Sequence, residues 1–100
     1  MRKIEQQMMD AIAEGESWSK DNTAVFCNEI TGLIKVYLHG HHIASRRTEM
    51  TGGQWSINVW SINYDTLRDW PTRTTMSRLR ALGFDVYTRK GVVYHAGQAI

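Results

Sequence analysis

Trp70-Pro71-Thr72-Arg73-Thr74-Thr75-Met76-Ser77-Arg78-Leu79-Arg80-Ala81-Leu82-Gly83 decides the fold, because it holds the one proline of the chain and its clearest helix start and stop. Pro71 has a fixed φ and no N–H, and it biases Trp70 towards extended backbone. The chain therefore arrives at Pro71 as strand or turn, and the helix begins after it. Thr72 or Thr74 can accept from the open N–H groups of the first turn, and Gly83 can take the left-handed conformation that ends the last. Between those ends Met76, Leu79 and Leu82 recur at a spacing of three, which on a helix makes one short apolar stripe that has to be buried. Arg73, Ser77, Arg78 and Arg80 point elsewhere on this reading, so the helix carries the densest basic cluster in the chain. A solvated outer face accounts for such a cluster more readily than a binding site does.

Upstream, from Asn22 to Ser61, the pattern is one of strands broken by turns. Ala24-Val25-Phe26-Cys27, Ile34-Lys35-Val36-Tyr37-Leu38 and Ile43-Ala44-Ser45 are separated by Thr31-Gly32 and by His39-Gly40-His41-His42. Gly40-His41 is expected in a tight hairpin turn with glycine first, and Thr51-Gly52-Gly53 closes the third strand's connection. From Gln54 to Ile62 the residues alternate, with Trp55, Ile57 and Val59 on one side and Ser56, Asn58 and Trp60 on the other. The first of these sides is expected to face the helices, which leaves Trp60 exposed or covered by a partner; packing of Trp60 under the first helix or the closing hairpin is an equal alternative.

Nearer the start, Ile4, Met8 and Ile12 recur every four residues among charged neighbours, an amphipathic helix of about three turns closed near Gly15. Met8 and Met9 read as core more readily than as an adaptable contact surface. Downstream, Phe84-Asp85-Val86-Tyr87-Thr88 and Val92-Val93-Tyr94-His95 flank Arg89-Lys90-Gly91 as a closing hairpin, and Gly97 to Ile100 read as loose. The expected architecture is α+β: an N-terminal helix, an antiparallel four-stranded meander, a second helix and a closing β-hairpin, in a single domain of 100 residues.

With 42% hydrophobic and 22% charged residues the composition is that of a globular protein, and no apolar run approaches the roughly 18 residues of a spanning helix. No membrane partner is expected. A charged start without an apolar run behind it does not read as a secretion signal, and a lone cysteine excludes an internal disulfide, so an intracellular site is expected. The formal charge of +2 is uneven: the first fifty residues hold six Lys/Arg against seven Asp/Glu, the last fifty six against three. That bias falls short of the basic stripe of a dedicated nucleic-acid binder, and leaves the option open.

Three segments carry a resemblance. Val-Tyr-Leu-His-Gly-His-His-Ile-Ala at 36–44, Trp-Pro-Thr-Arg-Thr-Thr-Met-Ser-Arg-Leu-Arg-Ala-Leu at 70–82 and the closing Tyr-Thr-Arg-Lys-Gly-Val-Val-Tyr resemble a family of small proteins of tailed bacteriophages. In that family a hairpin of the type Leu-His-Gly-Asn-x-Ile-Ala is followed by a Trp-x-Thr-x-Thr-Thr-Arg-x-Arg-Leu helix start, and the opening Met-Arg-Lys-Ile-Glu-Gln-Gln-Met is similar to members of it. His41 stands where Asn is usual, which a turn accepts, and Met76 where Arg is usual, which removes a basic position. The resemblance brings no activity and no catalytic residue. It implies a setting: a phage accessory protein in an infected bacterial cytoplasm.

Candidate chemistry is thin. His39, His41, His42, His95 and Cys27 are ligand types, but a metal site needs three or four converging ligands and neither Cys-x-x-Cys nor His-Glu-x-x-His is present. Cys27 amid Val25, Phe26 and Asn28 reads as a small buried hydrophobe rather than a nucleophile. Asp65 and Asp69 lie in a turn region without acid–base partners, and Thr51-Gly52-Gly53-Gln54 lacks the ending of a phosphate loop. No cofactor, no metal and no enzymatic activity are expected.

Two function classes compete. In the preferred one the protein docks on a host or phage protein, an inhibited host enzyme or defence component among them, or on its own copy, with Trp60, Tyr37 and methionines at the centre and arginines at the rim. In the alternative, Arg46, Arg47, Arg73, Arg78, Arg80, Arg89 and Lys90 contact phosphates of a nucleic acid while Tyr37, Trp60 or Tyr87 stack on bases. The partner-binding set common to both is Arg46, Arg47, Trp60, Arg73, Arg78, Arg80, Arg89 and Lys90.

Overall fold

The computed structural model describes residues 2–51 and 55–100, with the side chains of 49–51, 55 and 56 outside that description. Helix α1 (Lys3–Glu14) follows from the four-residue recurrence: Met8, Ala11 and Ile12 are buried, and Gly15 ends the helix at φ 70° with its N–H donating to the carbonyls of Ala11 and Ile12. Strands β1 (Trp18–Lys20), β2 (Thr23–Cys27), β3 (Ile34–Leu38), β4 (His41–Thr51) and β5 (Trp55–Ile62) then form an antiparallel sheet in chain order. The meander thus has five strands rather than four. β1 is only three residues long, too short for alternation to declare it, and is held by its register Trp18↔Val25, Ser19↔Ala24, Lys20↔Thr23.

The turn between β3 and β4 is His39-Gly40, with φ of 51° and 79°, and Leu38 pairs with His41 across it. The expected glycine-first turn is therefore displaced by one residue. Two positive φ values give the turn the twist of the flanking strands, and a histidine tolerates the left-handed region where a β-branched residue would not. His41 moves out of the turn to head β4. Lys90-Gly91 repeats the same pair of left-handed residues in the closing hairpin, at φ 51° and 79°. Gly52 and Gly53 lie outside the described residues.

Strand β5 presents the face opposite to the one expected. Ala44, wholly buried, pairs with Ile62, and Arg46 pairs with Trp60, so Trp60 and Ile62 share the core side of the sheet. Ile57 is 47% exposed on the other side. Alternation finds a strand but not its inner face, and here the β4–β5 ribbon runs on past the core, where Thr48 Oγ1 donates to Asn58 Oδ1 at 3.1 Å in an exposed pair.

A short helix, α2 (Tyr64–Asp69), replaces the expected turn; Asn63 caps it by accepting from the Thr66 N–H, and Leu67 is buried. Helix α3 (Arg73–Ala81) starts as its sequence requires. The Thr72 hydroxyl accepts from the Thr75 N–H at 3.1 Å, and Gly83 takes a φ of 102° just past the last turn. Met76, Leu79 and Leu82 are buried as the stripe predicts, but α3 makes its main contacts with α1, β4 and the next strand, and not with the face of Ile57. That strand, β6 (Val86–Arg89), forms a second antiparallel sheet with β7 (Val92–His95) and β8 (Gln98–Ala99). The segment after Gly97 is not loose: Tyr94 pairs with Ala99, and the Ile100 N–H donates to the Val93 carbonyl at 3.1 Å. One apolar cluster, from Met8 and Ile12 through Val36, Ile43, Leu67 and Leu79 to Val86 and Val93, joins both sheets and all three helices.

Candidate functional site

The helix that carries the basic cluster divides it between the interior and the surface. Arg78 lies inside the protein, 3% exposed, where Nη1 meets Glu5 Oε2 at 2.7 Å and Nε donates to Thr23 Oγ1 at 3.0 Å. Ser77 Oγ donates to the same Glu5 oxygen at 2.5 Å, and the Arg2 N–H donates to the other at 3.2 Å. Burial on its own would raise the pKa of Glu5. Donation from Ser77, Arg78 and the Arg2 backbone, together with the charge of Arg78, outweighs it and holds the carboxyl below its ordinary range. Arg78 is therefore withdrawn from the set of partner-binding residues: it faces the seam of α1 and β2, not solvent.

Trp60 takes the packed one of its two expected placements and so leaves the partner-binding set as well. It is half-buried against the core, edge-on to Phe84 at 6.2 Å between ring centres, with the Arg46 guanidinium 5.9 Å above its ring. Nε of Arg46 is buried and has no hydrogen-bond partner among the described residues. Trp60 and Arg46 thus make one packed unit on the inner side of the β4–β5 ribbon. Arg47, next along β4, is exposed.

Arg73 and Arg80 remain at the surface, and a residue that sequence reading did not single out joins them. Arg2, at the start of α1, lines one polar groove of about 380 Å³ with Arg73, Ser77, Arg80 and Thr88. Arg80 Nε donates to the Val86 carbonyl at 2.8 Å, which fixes that side chain along β6. No carboxylate lines the groove among the described residues. Arg89 and Lys90 are exposed at the hairpin tip that follows Thr88. Tyr87 and Tyr94, directly opposed across β6 and β7, stack at 5.1 Å.

A second concavity lies on the other side of the Trp70-Pro71-Thr72 connection. It is apolar, about 130 Å³, and bounded by Leu38, Ile43, Trp70 and Thr75 with His39 and His41 at one side. Trp70 is 51% exposed and stacks on His41 at 5.0 Å between ring centres, 25° from parallel. The remaining histidines go elsewhere: His42 Nδ1 lies 3.3 Å from the Asn63 side-chain nitrogen, and His95 Nδ1 lies 2.7 Å from the Tyr64 hydroxyl. Among the described residues no three His, Cys, Asp or Glu side chains gather as a metal-binding group. The Cys27 thiol is pushed above its ordinary pKa by burial, the direction opposite to thiolate activation. Tyr37 is half-buried, its ring 5.5 Å from that of His42.

These features define a small α+β protein with a buried ion pair and, beside one connection, a basic and an apolar surface concavity. Over residues 1–100 the chain matches the family model described as Kyanoviridae Gp96 protein, and it belongs to that family. It is a bacteriophage protein, in agreement with the small phage family that its sequence resembles. No curated protein and no solved structure matches the chain.

Proposed function

We propose that this phage protein is a non-enzymatic accessory factor that binds another protein in the host bacterial cytoplasm, and that the contact centres on Trp70. The observation that carries the proposal is the apolar pocket beside Trp70. At about 130 Å³ it compares with the ~150 Å³ cavity that accepts a benzene ring, so it has room for one apolar side chain of a partner. Trp70 at its mouth, half-exposed and held flat by His41, is the residue type that most often dominates interface energetics. Trp60, the anchor expected from the sequence, is occupied in packing against Phe84. A binding role rather than a catalytic one is supported by the dispersal of the histidines and Cys27 among separate neighbours. A host enzyme, a defence component, another phage protein or a second copy of the chain would each satisfy the pocket.

Capture from infected host lysate, with and without nuclease, tests this reading. Nuclease is expected to leave the captured protein in place, and Trp70→Ala to weaken its measured affinity by at least about 2 kcal/mol while the variant keeps its melting temperature. Capture that survives Trp70→Ala unchanged, or that nuclease abolishes, overturns it.

A further inference from the structure

The groove of Arg2, Arg73 and Arg80 is separate from the Trp70 pocket and asks for a different ligand. Three guanidinium groups line one concavity, and among the described residues none of them is paired with a carboxylate. The one carboxylate nearby, Glu5, already receives Ser77 and Arg78 on one oxygen and the Arg2 N–H on the other. Like charges brought together in a concave, hydroxyl-lined space repel one another unless an outside anion enters, and planar guanidinium forks match phosphate oxygens two at a time. Arg80 is already fixed beside the groove it lines, since Nε is spent on the Val86 carbonyl.

The basic surface does not stop at the groove. Thr88 lines it, and the next two residues, Arg89 and Lys90, stand exposed at the hairpin tip. The half-exposed Tyr87 and Tyr94 stack on the face of the hairpin that carries Arg89, opposite the face on which Thr88 meets the groove. Because β6 is the edge of its sheet, a flexible strand leaving the groove can cross that edge to Arg89, Lys90 and the aromatic pair, which hold backbone and bases, whereas a lone phosphate would need only the groove. We propose that the Arg2–Arg73–Arg80 groove binds a backbone phosphate of a single-stranded nucleic acid, whose path continues over Thr88 to Arg89 and Lys90.

The test is fluorescence anisotropy of the full chain with a labelled oligothymidine, titrated at a series of salt concentrations. Affinity is expected to fall with salt, and Arg73→Ala and Lys90→Ala each to flatten the log–log slope by about 0.7, the value of one single-strand phosphate contact. Arg73 and Lys90 are exposed, so both variants are expected to keep the wild-type melting temperature. Arg68→Ala, which removes an exposed arginine paired with Asp65 on α2, is expected to leave the slope unchanged. Loss of slope in Arg68→Ala equal to that in Arg73→Ala overturns the site. Displacement of the oligonucleotide by polyglutamate at matched charge overturns a phosphate ligand, and displacement by inorganic phosphate at matched phosphate concentration overturns a strand. Absence of binding at low salt overturns the proposal outright.

Discussion

Arg78 shares its helix with Arg73 and Arg80 but not their environment, and the difference is one of position around the axis. Thr75, Met76, Arg78 and Leu79 are the buried residues of α3, so Arg78 sits at the margin of the apolar stripe and turns inward to Glu5. The signal existed in the sequence at the other partner. Glu5 falls three before Met8 and seven before Ile12, on the buried stripe of α1 rather than beside it. A carboxylate on one stripe and a guanidinium at the edge of another announce a buried pair, but only the tertiary fold says that the two stripes meet. Removing either partner leaves an uncompensated buried charge, so Arg78→Ala and Glu5→Ala should each cost about 3–5 kcal/mol in urea unfolding. The double variant should cost less than the two together, the coupling expected of direct contact. The pair also sets a pH dependence. Because the folded-state pKa of Glu5 is lowered, its contribution is fully present above the ordinary carboxylate range and is lost as pH falls through the depressed value. Unfolding midpoints measured against pH should show this acid-side loss in the wild type and a shallower one in Glu5→Gln.

Among the elements, the helices α1 and α3 and the strands β2 to β7 are legible from spacing and turn residues, and the departures cluster where a period has nothing to act on. β1 spans Trp18–Lys20, β8 Gln98–Ala99 and α2 Tyr64–Asp69, each at most about two turns or one strand pair long. The inner face of β5 was not legible either, because the choice between Ile57 and Trp60 depends on Ala44 opposite Ile62, a register fixed by the long β4–β5 ribbon. The His39-Gly40 turn offers a clean measurement. Nothing lies within 4 Å of a Cβ built on Gly40, whose φ is 79°, so Gly40→Ala meets no steric neighbour. Its cost should be that of the left-handed backbone alone, about 1–2 kcal/mol in thermal unfolding. A larger loss would mean that the turn holds more than its own conformation.

At the scale of the molecule, the fold sorts charge in a way that totals by half-chain do not reveal. Arg78 is cancelled internally, while Arg2, counted in the half with more acids than bases, joins Arg73 and Arg80 at the surface. The basic groove was illegible for that reason: its members come from both ends of the sequence. The apolar pocket was illegible because Gly40-His41 reads as a turn, whereas His41 heads the strand where it supports Trp70. The phage setting, by contrast, was carried by whole segments of sequence and needed no tertiary contact.

The Glu5–Arg78 contact spans 73 positions, and that number has a meaning in time. At a synthesis rate of about 5–20 residues per second, Glu5 exists for about 4–15 s before its partner is made. Through that interval the nascent chain carries α1 with Met8 and Ile12 uncovered by α3 and a carboxylate that has no cation to meet. The meander can hydrogen-bond as it emerges, since each strand pairs with its sequence neighbour, and α1 can pack on β2, but the side of α1 that meets α3 has to wait for it. A chain cut short anywhere before Arg78 never makes this closure, and it shows the host's chaperones and proteases an unpaired Glu5 and the uncovered α3 side of the first helix for as long as it lasts.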